Sequence, residues 1–410
     1  MAPRDTEDNV TIGTRLRRIR KSRGKSLRVV AGLAGTSYGH LSEIENGKAP
    51  LDSLRLIKDL AYALEVAPSE LTRLPIPAPA NGETDAAVQA VRLALTAVSY
   101  DMPGGQALPV AALQARVTAM IDALCRCERE REVGAALPGL IRDLHTSIAA
   151  GHDVPELLEL AAWLHTQATV SWLRLAGASL DLRSQAVMLA RGAAGEHGTA
   201  ASTGLVAAAS TRLMLADGAC DLAQAGLDAV TVPTDTLESM QLAGFLALRR
   251  TLVAAVDGRP GDGDAPLEYA AELAARTGEG NAYGLGFGPV NVGLYPLHGA
   301  VEVGDYERAV SIAEGLNPGA QPNRSRQAEC WADYGRALAR LRGRQDDAVR
   351  ALRRAERISP HRVLRDPLAR DAIAGLVERS PQGRVGEDLR GLAWRGGAAR
   401  VIPSGDRSDS

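Results

Sequence analysis

Between residue 11 and about residue 402 the apolar positions follow the helical period, one short helix after another, with Gly, Pro and Asp turns between them. Five helices are expected in residues 11–74. Thr11 caps the first, which carries Leu16 and Ile19 on one face and ends at Gly24. Ser26 caps the second, with Val29, Val30 and Leu33 turned inward. Gly35 then makes a turn in the left-handed conformation that glycine adopts at least cost. The third helix covers 37–45, buries Leu41 and Ile44, and closes at Asn46-Gly47. The fourth covers 53–64, and Pro68-Ser69-Glu70-Leu71 opens a short fifth. Residues 1–10 and 403–410 read as loose polar tails.

The helical pattern breaks at 75–83, where Pro75, Pro77 and Pro79 fall within five residues. Proline removes amide donors and favours extended backbone, so this is a semi-rigid linker. Residues 84–402 then read as stacked helix pairs. The clearest pair is 327–360: Trp331, Tyr334, Gly335, Ala337 and Leu338 share one face, Gly343 turns the chain, and Ala348, Leu352 and Ala355 face back toward Pro360. A second pair carries Leu294, Leu297, Ala300, the turn Gly304-Asp305-Tyr306, then Ala309 and Ala313 up to Pro318. Weaker pairs lie at 157–195, 199–230 and 235–277. The expected fold class is all-α, a five-helix N-terminal domain at 11–74 joined by the linker to a helical array at 84–402.

Composition supports this picture. Aromatic residues are 3% of the chain, hydrophobic residues 45% and charged residues 23%. Ala and Leu with few aromatic or β-branched residues favour packed helices over sheets. So few aromatics also argue against stacking-based binding of single-stranded nucleic acid. The formal net charge of the chain is −2, but residues 1–75 hold thirteen Lys/Arg against nine Asp/Glu, +4, which leaves −6 for the rest. Residues 11–28 contain eight bases and no acid. That basic stripe on a near-neutral chain needs an explanation.

The residues Leu16–Arg23, Ser26-x-x-x-Val30-Ala31-x-x-Ala34-Gly35-Thr36-Ser37, and Leu41-Ser42-x-Ile44-Glu45-Asn46-Gly47-Lys48-x-Pro50, with Leu60, Leu64 and Leu71, resemble the helix-turn-helix of phage repressors and Cro, the xenobiotic-response-element type. The resemblance implies duplex DNA as the partner. The third helix would enter the major groove, with Thr36, Ser37, Tyr38, Gly39, His40, Ser42 and Glu43 toward the bases. Arg28, Asn46 and Lys48 would hold phosphates, with Arg15, Arg18 and Lys25 as weaker candidates. The resemblance also implies a structural ion pair between Arg20 and Glu45. Many relatives of this type carry glutamine where this chain has Leu27, so one phosphate contact is missing, and Arg28 is a candidate to replace it.

The pair 327–360 is similar to a tetratricopeptide repeat, with a first helix one residue longer than the consensus. The run Gly286-Phe287-Gly288-Pro289-Val290-Asn291-Val292 resembles a segment of actinomycete regulators that join a helix-turn-helix to a tetratricopeptide-like domain. One repeat cannot bury its own face, so several would stack into an α-solenoid whose concave surface takes a peptide, small-molecule or protein effector. Asn281, Tyr283, Phe287, Asn291 and Arg336 are the candidate lining residues.

No enzyme chemistry is expected. Gly35-Thr36-Ser37-Tyr38-Gly39 satisfies the pattern of a hydrolase nucleophile elbow, but that motif needs a preceding strand and here a helix precedes it. The histidines are scattered, with His197 and His361 expected on the surface, and neither a metal site nor a cofactor is implied. Cys125, Cys127, Cys220 and Cys330 have no zinc or disulfide spacing and read as free thiols in a cytoplasmic protein without a membrane span. The expected function is a sequence-specific transcription regulator, acting as a homodimer, with an effector-binding helical domain. The alternative is a protein-interaction hub whose helix-turn-helix does not read sequence.

Overall fold

The computed structural model describes residues 4–49, 51, 54–66, 70–71, 82–379 and 383–397. The described residues are helical, with no strand among them. In the N-terminal domain the helices are α1 (Arg4–Ser22), α2 (Leu27–Leu33), α3 (Tyr38–Glu45) and α4 (Leu54–Leu64). Ser26 caps α2 by accepting from the Val29 amide, and Gly35 takes φ +62° between α2 and α3. Leu16, Ile19, Val30, Leu41, Ile44, Leu60, Leu64 and Leu71 form one buried cluster.

Three details differ from the sequence expectation. First, α1 begins at Arg4, so Thr11 lies inside the helix rather than capping it. Second, Val29 and Leu33 point outward, 50% and 61% exposed. A helix of seven residues has room for only a narrow buried stripe, and Val30 and Ala31 fill it. Third, Gly82 and Glu83 begin the helix Gly82–Ser99 instead of ending the linker. The rest of the linker, and all of the fifth helix except Glu70 and Leu71, lie outside the described residues.

In the helical domain the helices Arg324–Arg340 and Gln345–Ile358 form the expected pair, turned at Gly343 with φ +76°. Gly335 is required at their contact, since a Cβ there would lie 2.7 Å from Leu352 Cγ. The helices Pro289–Glu302 and Tyr306–Glu314 pair across Gly304, and Asp305 caps the second of them. Packing is not confined to neighbouring pairs. Glu130 is bonded to Ser359 and His361, Arg365 to Asp85 and the Ala176 carbonyl, and Trp163 to the Tyr283 carbonyl. These contacts bring the first helices of the domain against the last. His361 is therefore half-buried in an ion pair with Glu130 rather than a surface residue.

The N-terminal domain docks on the far end of the chain. Arg18 pairs with Glu387 at 2.8 Å, Arg23 with Asp388, Arg353 with Glu65 and Arg390 with Glu70. Gly391 in the helix Gly383–Arg395 allows this contact: a Cβ there would lie 2.6 Å from the Glu65 carbonyl oxygen.

A π-helical turn at Leu164–Thr169 presents His165 to His145, their Nε2 atoms 2.9 Å apart. One ring donates and the other accepts, and burial disfavours a charge on either. Burial lowers the His145 pKa to about 4 and holds His165 well below its usual value. An unfolded chain takes up protons near pH 6.5, before the folded one does. The stability contributed by the neutral pair is therefore complete above about pH 6.5 and lost as pH falls toward 4, by roughly 1.4 kcal/mol per pH unit per histidine. Melting temperatures measured from pH 7.5 to 5 should fall more steeply for the wild type than for His145→Gln; equal slopes would refute the assignment.

Candidate nucleic-acid interface and a buried arginine cavity

The exposed face of the N-terminal domain is built by α3 and its flanks. Leu41, Ile44 and Glu45 turn inward, which leaves Tyr38, Gly39, His40 and Glu43 exposed on the other side. Ser37 caps α3 with its side-chain oxygen accepting from the His40 amide at 3.1 Å, so that oxygen already has a backbone partner. Thr36 and Ser42 are half-buried beside this face. Arg28, Asn46 and Lys48 are exposed around it. Asn46 donates to the Ser42 carbonyl at 2.8 Å and accepts from Arg17 at 3.5 Å. Arg17 was not singled out from the sequence, yet its exposure and its place beside Asn46 add it to the cationic rim.

Other bases of the stripe have inward partners. Arg18 is held by Glu387, and Lys25 donates to the Ala63 carbonyl at 2.6 Å. Arg20 and Glu45 meet as expected in a buried bidentate pair, Nε–Oε1 2.6 Å and Nη2–Oε2 2.8 Å. Close approach of α1 to α3 depends on Gly13, whose added Cβ would fall 2.2 Å from the Ile44 carbonyl oxygen. The outer face of α3 thus sits on a closely packed two-helix support and remains exposed while the domain is docked.

The five candidate effector residues do not form one surface. Phe287 and Asn291 are fully buried. The Phe287 ring packs where Gly244 leaves room, since a Cβ at Gly244 would lie 2.1 Å from the Phe287 ring. Asn281 is half-buried and accepts from Asn323 at 3.0 Å. Tyr283 is half-buried, with its carbonyl bonded to Trp163. Of the five, Arg336 lines a substantial cavity, of about 500 Å³.

That cavity continues into a smaller lobe, and the same six arginines line both: Arg174, Arg183, Arg212, Arg249, Arg326 and Arg362. Glu329 lies at their centre. Its carboxylate accepts from Arg326 at 2.7 Å and Arg212 at 2.9 Å, with Arg174 at 3.2 Å and Arg362 at 3.4 Å. Burial opposes the Glu329 charge, but the surrounding guanidiniums outweigh it and hold the carboxyl well below its usual pKa. Arg249 is 6% exposed, has no ion pair among the described residues, and lies over the rings of Phe245 and Tyr295 at 4.9 and 5.8 Å. Burial pushes its pKa down to about 10. Sequence reasoning missed this cluster because each arginine is contributed singly from a different part of the domain.

The cysteines are free, and burial pushes Cys127 and Cys330 up to about 12, which leaves them unreactive. Among the described residues no group of three or more His, Cys, Asp or Glu could hold a metal ion, and no helix is long and apolar enough to cross a membrane. No curated protein and no solved structure matches the chain. Residues 11–74 match a family model described as a helix-turn-helix domain, so this all-helical chain carries a helix-turn-helix domain within its first 74 residues.

Proposed function

We propose that the protein is a cytoplasmic, sequence-specific DNA-binding regulator of the xenobiotic-response-element type. The observation that carries this reading is the helix-turn-helix domain with an unobstructed α3 face, rimmed by Arg17, Arg28, Asn46 and Lys48. Tyr38, Gly39, His40 and Glu43 lie toward the base edges, and the rim groups toward phosphates. One such domain has a small footprint, so two copies act on half-sites roughly 34–36 Å apart. The helical domain, a tetratricopeptide-like array, receives the effector or partner that sets the DNA-binding state.

The double variant Arg28→Ala/Lys48→Ala should weaken binding to a fluorescent random duplex and reduce the slope of log K against log salt by about 2, roughly one per lost phosphate contact. An unchanged slope would remove these residues from the interface. Genome-wide mapping of binding sites separates the regulator from an interaction hub: discrete, salt-sensitive sites are expected, and their absence would overturn the reading.

A further inference from the structure

The arginine cavity is out of electrical balance. Six guanidiniums line the smaller lobe, and no carboxylate lines it. The larger lobe adds Arg336 and four carboxylates, but three of those are already engaged. Asp333 is held by His298 and Arg336, Glu302 by Arg336, and Asp366 caps a helix through the Leu368 and Ala369 amides. Among the described residues Glu329 is the one carboxylate paired directly with the six, and four of them share it, while Asp366 acts on Arg183 through space.

Titration cannot relieve this surplus, because a guanidinium keeps its proton inside a protein. Burying an unpaired charge is among the largest penalties a fold can carry. The Nε atoms of Arg183, Arg249 and Arg362 have no hydrogen-bond partner among the described residues, and Arg249 is nearly fully buried. Its contacts with Phe245 and Tyr295 offset only part of the penalty. Solvent does reach the wall, since the Arg212 side chain is 38% exposed. The remaining lining mixes uncharged polar side chains, Thr166, Gln167, Ser171, Asn323 and Ser325, with an apolar wall of Leu124, Leu175, Leu213, Leu285 and Phe245. The larger lobe, which adds Leu215, Leu252, Val256 and Leu368 to the apolar wall, has a volume of about 500 Å³, within the range of small-molecule sites, roughly 300–1,000 Å³.

We propose that this cavity binds a small organic anion, carrying two or more closely spaced phosphate or carboxylate groups on an apolar body, and that this anion is the signal the helical domain senses. Planar guanidiniums hold such groups through paired, charge-assisted hydrogen bonds, and the leucine wall takes the body. The sensing role rests on the regulator reading above, whereas the anion site stands on the cavity alone.

Isothermal titration of the full chain with sodium pyrophosphate, and separately with citrate, tests the site at ionic strength matched with sodium chloride. Saturable binding of at least one probe is expected, weakened about tenfold or more by Arg249→Met and retained by Arg28→Ala/Lys48→Ala. Arg249 is not among the arginines paired with Glu329, so its replacement leaves that cluster's ion pairs in place. If Arg249→Met loses helical content, Arg183→Met takes its place. Absence of saturable binding of both probes, or equal binding by wild type and variant, overturns the proposal. These titrations contain no DNA. A chain that passes them and yet fails to bind DNA loses the regulator reading and keeps the anion site, and the converse result does the reverse.

Discussion

Replacing Glu329 with glutamine should destabilise the helical domain by about 3–5 kcal/mol, the usual cost of removing one partner from a buried ion pair. The variant leaves Arg174, Arg212, Arg326 and Arg362 facing one another with no charge between them. Their repulsion and desolvation, which the carboxylate now offsets, then count fully against folding. Thermal unfolding followed by helical circular dichroism should shift downward by on the order of 10 °C. Glu329→Asp, which keeps the charge and shortens the reach, should recover part of the loss. A Glu329→Gln midpoint within 2 °C of the wild type would show that solvent, and not Glu329, screens these arginines.

Arg20→Ala should have an effect of similar size in the N-terminal domain. It leaves the Glu45 carboxylate, 5% exposed, without the guanidinium that meets both of its oxygens. A loss of about 3–5 kcal/mol is a large fraction of what a domain this small can hold. The expected signature is early proteolysis of residues 11–74 and loss of DNA binding, while the helical domain melts as before. Arg20→Met/Glu45→Leu should restore most of the stability, because an apolar pair of similar volume often replaces a buried ion pair without loss. If the double variant is no better than Arg20→Ala, the pair contributes through its geometry and not through its charge balance.

The helix-turn-helix was legible in the sequence because its signals are local. A serine cap, a glycine at a left-handed turn and two inward residues on α3 lie within about twenty positions, and each is observed. The inward placement of Val29 and Leu33 failed because a two-turn helix gives too little periodicity to fix its buried side. The helix pairs at 289–314 and 324–358 were legible for a similar reason: their turn glycines and small contact residues lie close together in sequence. The expected effector surface did not survive as one surface. Asn281, Phe287 and Asn291 look like binding residues one at a time, but their exposure is decided by helices far away in sequence. The cavity posed the same problem in reverse. Arg174, Arg212, Arg249, Arg326 and Arg362 have no common spacing, and only tertiary packing shows that they meet.

The docking of the N-terminal domain on the helix Gly383–Arg395 changes what the chain can measure. Arg18 and Glu387 stand 369 positions apart, and their contact fixes the direction of α3 by the end of the helical array rather than by the covalent path between the domains. As the regulator proposed above, the molecule would work as a calliper arm and not as a bead on a string. A tilt between the last helices is carried to the tip of α3 as a displacement, enlarged by the distance from the pivot. Two copies joined through their helical domains would span one preferred gap on DNA, and the phase of the double helix would become part of what they read.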